Sequence, residues 1–337
     1  MSSAEQVQLA KLRLGTRGSL LARTQSGLVA QTLADTLGGS VTDLIEEVII
    51  RTEGDDSTVP LQESKTPGLF VNALRDALLD HRVDFIVHSF KDLPSGNVEG
   101  ITLAAVPTRE DIHDVLVSRD NLKLSQLPAG AVVGTSSPRR SAKLLYVRPD
   151  LKVVPIRGNV DSRIAKVRGG EYDATILAAA GLKRIGRYDE TAEVLGLDIL
   201  LPAPAQGALA IECRSDDEQT LARLRMLNDW QARLITTAER AVLVGVAATC
   251  STAIGAVAEY SDGHLTVRAE LSDPRPNDAG QIDFERFEVS APVNPAKDSR
   301  ESLSQAYQLG MFAAAQLMET EVGRRIAQNG PGLDAGE

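Results

Sequence analysis

Residues 131–145, AVVGTSSPRRSAKLL, join a β-branched apolar run to a helical pattern. Ser137 fits the helix N-cap and Pro138 the first helical position, which places Arg139 and Arg140 in the opening turn. The N-terminal end of a helix is electropositive and disfavours cations unless an anion offsets them. The stretch therefore predicts a strand that runs into a helix whose first turn meets an anionic ligand.

Working outward, LRLGTRGSLLARTQ (12–25) repeats the pattern of strand, Gly-Thr and helix. A second pair of stretches also matches: ALLDHRVDFIVHSFKDLP (77–94) and KVRGGEYDATILAAAGLKRIG (166–186). Each reads as a helix end, an acidic residue, an apolar strand and a loop bearing lysine. In GLFVNALRDALLDHR (68–82), Phe70, Leu74 and Leu78 recur every four residues, as on one face of a helix. This alternation predicts mainly parallel α/β sheets, duplicated in two similar domains that face each other across a cleft. ILLPAPAQGALAIECR (199–214) interrupts the alternation with prolines and then reads as a strand that crosses back to the first domain. AIGAVAEY, HLTVRAELSD and FERFEVSAP read as an antiparallel meander closed by one helix over 301–327, a small α+β third domain.

With 337 residues, 43% of them hydrophobic, the chain can bury more than one core. A net charge of −10 argues against a general nucleic-acid binder or a membrane-surface protein. Cys213 and Cys250 are too few for a disulfide scaffold or a cysteine-based zinc site. His81, His88, His113 and His264 lack metal-ligand spacing, so no metal is expected. The opening MSSAEQVQLAKLRLGTR has no signal-peptide apolar stretch, and no run of about 18 apolar residues is present to span a bilayer. A soluble cytoplasmic protein is expected.

The basic residues matter where they cluster. Arg17 follows the first strand, Arg139 and Arg140 open a helix, Arg157 ends a strand, Arg163 lies a helical turn later and Arg184 follows AAAGLK. In parallel α/β sheets the carboxyl ends of strands converge on one crevice, so these guanidinium groups are expected to meet a polyanion there. Taken singly, each is equally a solvated surface charge. Lys91 and Asp92 in HSFKDLP (88–94) read first as an ordinary surface turn; at a strand end facing an arginine-rich crevice, the carboxylate reads as a general acid/base or a stabiliser of positive charge. Cys250 in VAATCSTAIGAV, taken alone, reads more often as a packed small hydrophobe than as a functional thiol, and Cys213 as buried. No phosphate-cradling glycine loop is present.

Together these residues resemble the porphobilinogen deaminase (hydroxymethylbilane synthase) family, through LGTRGSLLARTQ, GLFVNALRDALL, FIVHSFKDLPS, GTSSPRRSAKLL, IRGNVDSRIAKV, GEYDATILAAAGLKRIG, LPAPAQGALAIECR, TAERAVL and the Cys250 loop with AIGAVAEY. The resemblance covers residues 12 to about 260. It implies an α/β fold with two periplasmic-binding-protein-like (type II) domains around a cleft, 9–107 with 208–226 and 112–202, plus a small α+β domain over 229–330. It also implies a transferase that condenses four porphobilinogen molecules, with loss of ammonia, onto a dipyrromethane cofactor and hydrolytically releases hydroxymethylbilane for tetrapyrrole and haem synthesis. The cofactor is bound by a thioether to Cys250. Asp92 is the implied catalytic residue. Lys91, Asp92, Ser89, Ser137, Arg139, Arg140, Arg163 and Arg184 are implied to bind cofactor, and Arg17, Ser19, Arg157, Arg163 and Gln206 to bind substrate. A monomer with no nucleic-acid or membrane partner is expected. Two stretches depart from the family pattern. VGVAATC replaces a glycine-rich loop and lacks the following proline, and TPGLF (66–70) replaces GKGLF in the lid.

The main rival is a solute-binding protein or the sensing domain of a regulator, which would need a signal peptide or a DNA-binding segment and gives Cys250 no role. An acyl or phosphoryl transferase is disfavoured by the missing phosphate loop.

Overall fold

The computed structural model describes residues 10–51, 69–96, 98–249, 251–293 and 300–329. They form two compact units: one takes the residues up to Pro107 and Leu209–Asp229, the other Thr108–Ala208 and the residues from Trp230 onward.

Along the chain, β1 (Leu12–Thr16), α1 (Leu20–Leu37), α2 (Val41–Leu44), β2 (Ile45–Ile49), α3 (Leu69–Leu79), β3 (Phe85–Ser89) and β4 (Ile101–Ala105) build the first unit. β5 (Asp114–Ser118), β6 (Val132–Gly134), α4 (Pro138–Val147), β7 (Lys152–Val154), α5 (Val160–Arg168), β8 (Ala174–Ala178), α6 (Ala179–Arg184) and β9 (Glu193–Leu195) follow in the second. β10 (Leu209–Arg214) and α7 (Glu218–Arg225) return to the first. α8 (Trp230–Gly245), β11 (Ala253–Ser261), β12 (His264–Pro276), β13 (Ile282–Pro292), α9 (Arg300–Met318) and α10 (Glu321–Asn329) complete the second.

The two five-stranded sheets share one plan. The first has the order β2-β1-β3-β10-β4 and the second β7-β6-β8-β5-β9. β1 runs parallel to β2 and β3, as β6 does to β7 and β8. β10 is antiparallel to β3 and β4, as β5 is to β8 and β9. The duplication read from the paired stretches is therefore present in the topology, with β1–α1 equivalent to β6–α4 and β3 to β8. The expectation of mainly parallel sheets needs correction, because each sheet carries a reversed strand. Apolar periodicity does not encode strand direction, so the reversal was not legible.

In both copies the glycine of Gly-Thr marks a close approach. A Cβ at Gly134 would lie 2.8 Å from the Tyr172 ring, and one at Gly15 3.0 Å from Ile86 Cγ2. β5, β10 and four residues of β8 are buried. Strands covered on both faces read as continuous apolar runs, which is how these appear in the sequence. Cys213 lies fully buried in β10, where burial pushes its thiol up to about 11.

β11, β12 and β13 form an antiparallel meander with its own core, in which Leu234 and Val242 of α8 and Ala313 and Leu317 of α9 meet Val267 and Leu271. The single closing helix expected over 301–327 is two helices. The Thr320 hydroxyl accepts from Gly323 N at 3.1 Å and starts a new helix, α10. Among the described residues no helix is long and apolar enough to cross a membrane, and no cluster of His, Cys, Asp and Glu suits a metal ion.

One buried ion cluster ties the first unit together. Arg75 of α3 grips Glu212 of β10 through Nε at 2.9 Å and Nη2 at 2.6 Å, and His88 Nε2 lies 3.4 Å from the same carboxylate. Burial opposes ionisation of Glu212, but Arg75 and His88 outweigh it and hold the group at about 2, against an ordinary 4.5. A depressed carboxylate contributes stability that is fully present above its unfolded value and is lost as pH falls through the folded one. Glu212 therefore contributes about 3 kcal/mol at neutral pH, lost between roughly pH 4.5 and 2. Urea melts across that window are expected to show a shallower decline for Glu212→Gln than for the unsubstituted chain. An unchanged decline would refute the assignment. Arg75→Met strands the carboxylate and is expected to cost about 3–5 kcal/mol at pH 7.

Candidate active site

At the carboxyl rim of the first sheet, β1 ends at Thr16 and α1 begins four residues beyond it, at Leu20. Ser19 is the N-cap of α1, accepting from Ala22 N at 3.4 Å, and the first turn carries no acid. Arg17 and Ser19 are half-buried there. The parallel neighbour β3 ends at Ser89, whose hydroxyl exchanges hydrogen bonds with the Gln25 amide of α1 at 2.9 and 3.2 Å. The chain then turns through a short 3₁₀ segment, Phe90–Asp92. Phe90 and Leu93 are buried on either side, so they anchor the turn while Lys91 stays half-buried and Asp92 exposed. Arg17, Ser19, Ser89, Lys91 and Asp92 thus share one rim.

The second rim has the same construction. β6 ends at Gly134, and Ser137 caps α4 by accepting from Arg140 N, with Pro138 in the first turn. Arg139 and Arg140 do not project as open cations, as the sequence reading expected. Both are buried, and the anion beside them belongs to the chain. Asp114, fully buried at the start of β5, accepts from Arg139 Nη1 at 2.7 Å. It also accepts from Arg140 Nε at 3.1 Å and Nη2 at 2.6 Å. Because β5 runs antiparallel to β8, its first residue lies opposite Ala178, the last of β8, and so reaches the carboxyl rim. The Gln206 amide is drawn to the same carboxylate at 3.1 Å and to Ile112 O at 2.8 Å.

Arg184 falls at the end of α6 rather than in a loop, and its Nη2 donates to Gly207 O at 2.7 Å. Burial lowers its guanidinium, with Glu110 opposing. Arg157 is exposed in the turn after β7, and half-buried Arg163 on α5 donates from Nε to Gly158 O at 2.9 Å. The structure thus joins Arg139, Arg140 and Gln206 on one carboxylate and strings Arg157, Arg163 and Arg184 along neighbouring elements. Sequence reasoning missed Asp114, whose only signal was an acid opening the apolar run DVLVS. It also missed Glu239 on α8, fully buried. Glu239 holds Arg109 at 2.7 and 2.9 Å and accepts from Ala205 N and Ala258 N, while Arg109 Nε donates to Gln206 O. These bonds fix the backbone that carries Gln206.

Cys250 lies outside the described residues, as do residues 66–68 of the lid stretch. The flanks of Cys250 are ordered by short-range bonds, with Thr249 N donating to Thr252 Oγ1 at 2.9 Å. α8 ends with Ala248 N bonded to Leu243 O and Ala247 N to Val244 O, the pattern that places a left-handed residue just past a helix. That residue is Ala247, at φ 49°. The departure from a glycine-rich loop therefore carries strain, since left-handed backbone costs a residue with a Cβ about 1–2 kcal/mol. Part of this returns as backbone entropy when glycine is introduced. Ala247→Gly is expected to raise Tm by about 1–3 °C and Ala247→Val to lower it, as read by calorimetry. A lower Tm for the glycine variant would contradict the strain argument.

Comparison with known proteins adds an independent line. A family model described as porphobilinogen deaminase, dipyromethane cofactor binding domain, matches residues 12–222. Porphobilinogen deaminase 1 of Streptomyces coelicolor is 51% identical over 312 residues, covering 91% of this chain and 94% of the relative. The porphobilinogen deaminase of Cutibacterium acnes is 42% identical over 344 residues, covering 92% and 95%. Among solved structures, a Salmonella typhimurium periplasmic binding protein of high arginine specificity is 12% identical, covering 65% of this chain and 92% of that one, with a TM-score of 0.36. With relatives this similar matching nearly end to end, through the residues of both rims, the chain belongs to the porphobilinogen deaminase family.

Proposed function

We infer that this chain is a transferase of tetrapyrrole and haem synthesis that condenses four porphobilinogen molecules head to tail, with loss of ammonia, and releases hydroxymethylbilane by hydrolysis. The observation that supports it best is the concentration of guanidinium and hydroxyl donors on rims built from strand ends and helix N-caps. Each porphobilinogen unit carries an acetate and a propionate, so the growing product gathers carboxylates, for which guanidinium is the matched donor.

The donor set also fits a dipyrromethane. Among the described residues the buried Arg139 guanidinium donates only through Nη1, so its Nε and Nη2 remain available for a further carboxylate. Attached through Cys250, the group supplies a nucleophilic pyrrole carbon on which the chain is built. Ser89, Lys91, Ser137, Arg139, Arg163 and Arg184 would hold it, with Arg140 fixed beside them on Asp114; Arg17, Ser19, Arg157 and Arg163 would receive the substrate's carboxylates, and Gln206, whose amide donates to Ile112 O and Asp114, lines the rim. Asp92, carried out to solvent on its anchored turn, stabilises positive charge at pyrrole N–H and takes up the proton freed at each condensation. The meander with α8–α10 forms a third domain that carries Cys250, and the enzyme works as a cytoplasmic monomer on a small-molecule substrate.

Two measurements test this reading. Intact mass after denaturation is expected to exceed the chain mass by one dipyrromethane, and a bare chain mass after exposure to porphobilinogen would sink it. Because Asp92 is exposed and has no packing role, Asp92→Ala is expected to leave Tm within about 1–2 °C while turnover falls by about 10²–10⁴-fold. Near-normal turnover would remove Asp92 from the mechanism.

A further inference from the structure

The arginine pair is not symmetric. Arg140 is engaged at every nitrogen: Nε and Nη2 on Asp114 Oδ1, and Nη1 on Ile176 O at 2.8 Å. Arg139 donates through Nη1 alone among the described residues, to Asp114 Oδ2 and Leu201 O. Both guanidinium groups are more than nine-tenths buried and Asp114 completely so. Burial pushes the Arg139 guanidinium down, and the neighbouring Arg140 charge acts in the same direction, against the pull of Asp114. Glu270 is the other carboxylate acting on Arg139, and it is already held by Lys143 at 2.9 Å and Arg286 at 2.7 Å. Two buried cations therefore share one close carboxylate. Buried charge is tolerated when paired, so the pair is short of one negative charge, and the two nitrogens that donate to nothing among the described residues, Nε and Nη2, lie on Arg139.

We propose that Asp114 is a positioning residue that stands in for one ligand carboxylate: it locks Arg140 as a fixed fork and leaves Arg139 to take a carboxylate of the dipyrromethane. This rests on the function proposed above. Arg140 then acts through geometry, Arg139 through direct pairing, and Gln206 is registered to the rim by the same Asp114 oxygen. A purely structural Asp114, merely tethering α4 to β5, would stabilise the chain equally with and without its cofactor. A stand-in carboxylate would not. Removing it leaves two uncompensated cations in the cofactor-free chain, and the incoming carboxylates then relieve more repulsion than before.

The test compares Tm of cofactor-free chain, expressed in a host unable to make porphobilinogen, with Tm after loading by added porphobilinogen. Loading is read by intact mass. Asp114→Asn is expected to lower the cofactor-free Tm by about 10 °C and to enlarge the rise on loading by several degrees over the unsubstituted chain. The control is Asp273→Asn. Asp273 is likewise fully buried and bonded to two arginines, Arg275 and Arg325, but it lies on β12, and its loss is expected to lower both states equally. An unenlarged rise for Asp114→Asn, matching the control, overturns the proposal. If Asp114→Asn does not fold, the asymmetry itself decides. Arg139→Gln removes the surplus charge, so it should keep the cofactor-free Tm within about 2 °C yet abolish loading, whereas Arg140→Gln should lower that Tm as well. Equal effects of the two on Tm overturn the proposal. If the unsubstituted chain gains no dipyrrole mass, the function itself falls, a result distinct from every variant outcome.

Discussion

A guanidinium pair can be buried only beside a carboxylate, and here that carboxylate has to reach the rim where α4 begins. A parallel strand would bring its carboxyl end there. β5 runs the other way, so it brings its first residue instead, and that residue is Asp114. The reversal of one strand thus makes the second rim possible, because it puts an acid opposite Ala178 and beneath Arg139 and Arg140. In the first sheet the equivalent reversed strand, β10, starts at Leu209 opposite Ser89. An apolar residue there offers no counter-charge, and no arginine pair opens α1.

The two copies have accordingly diverged around one scaffold. In the first, the turn after β3 is pinned by Phe90 and Leu93 and exposes the Asp92 carboxylate. In the second, the turn after β8 continues as α6 and ends in Arg184, whose guanidinium donates to Gly207 O. The buried bonds of Glu239 to Arg109, Ala205 and Ala258 fix the passage that carries Gln206. Rigid support of this kind lets polar side chains hold one geometry while ligand charge accumulates.

Much of the plan was legible from residues. The Gly-Thr pairs, the Ser137–Pro138 cap, the buried strands VDFIV and ATIL, and the antiparallel meander all carry local signals: steric fit, cap chemistry and apolar periodicity. The helix break at Thr320 was misread because an amphipathic pattern continues through it, and only the hydroxyl's bond to Gly323 N shows the restart. Asp114 and Glu239 were overlooked because a lone acid in a sequence looks the same whether it faces water or two arginines.

The amino-acid sequence by itself determined the element types, the internal duplication and the family, since these follow from spacing within short windows and from motif identity along the chain. Only the tertiary structure decided which cations are already paired and which keep donors for a ligand. Pairing depends on strand direction and on contacts between residues far apart, such as Asp114 with Arg139 and Glu212 with Arg75, and no local periodicity encodes either.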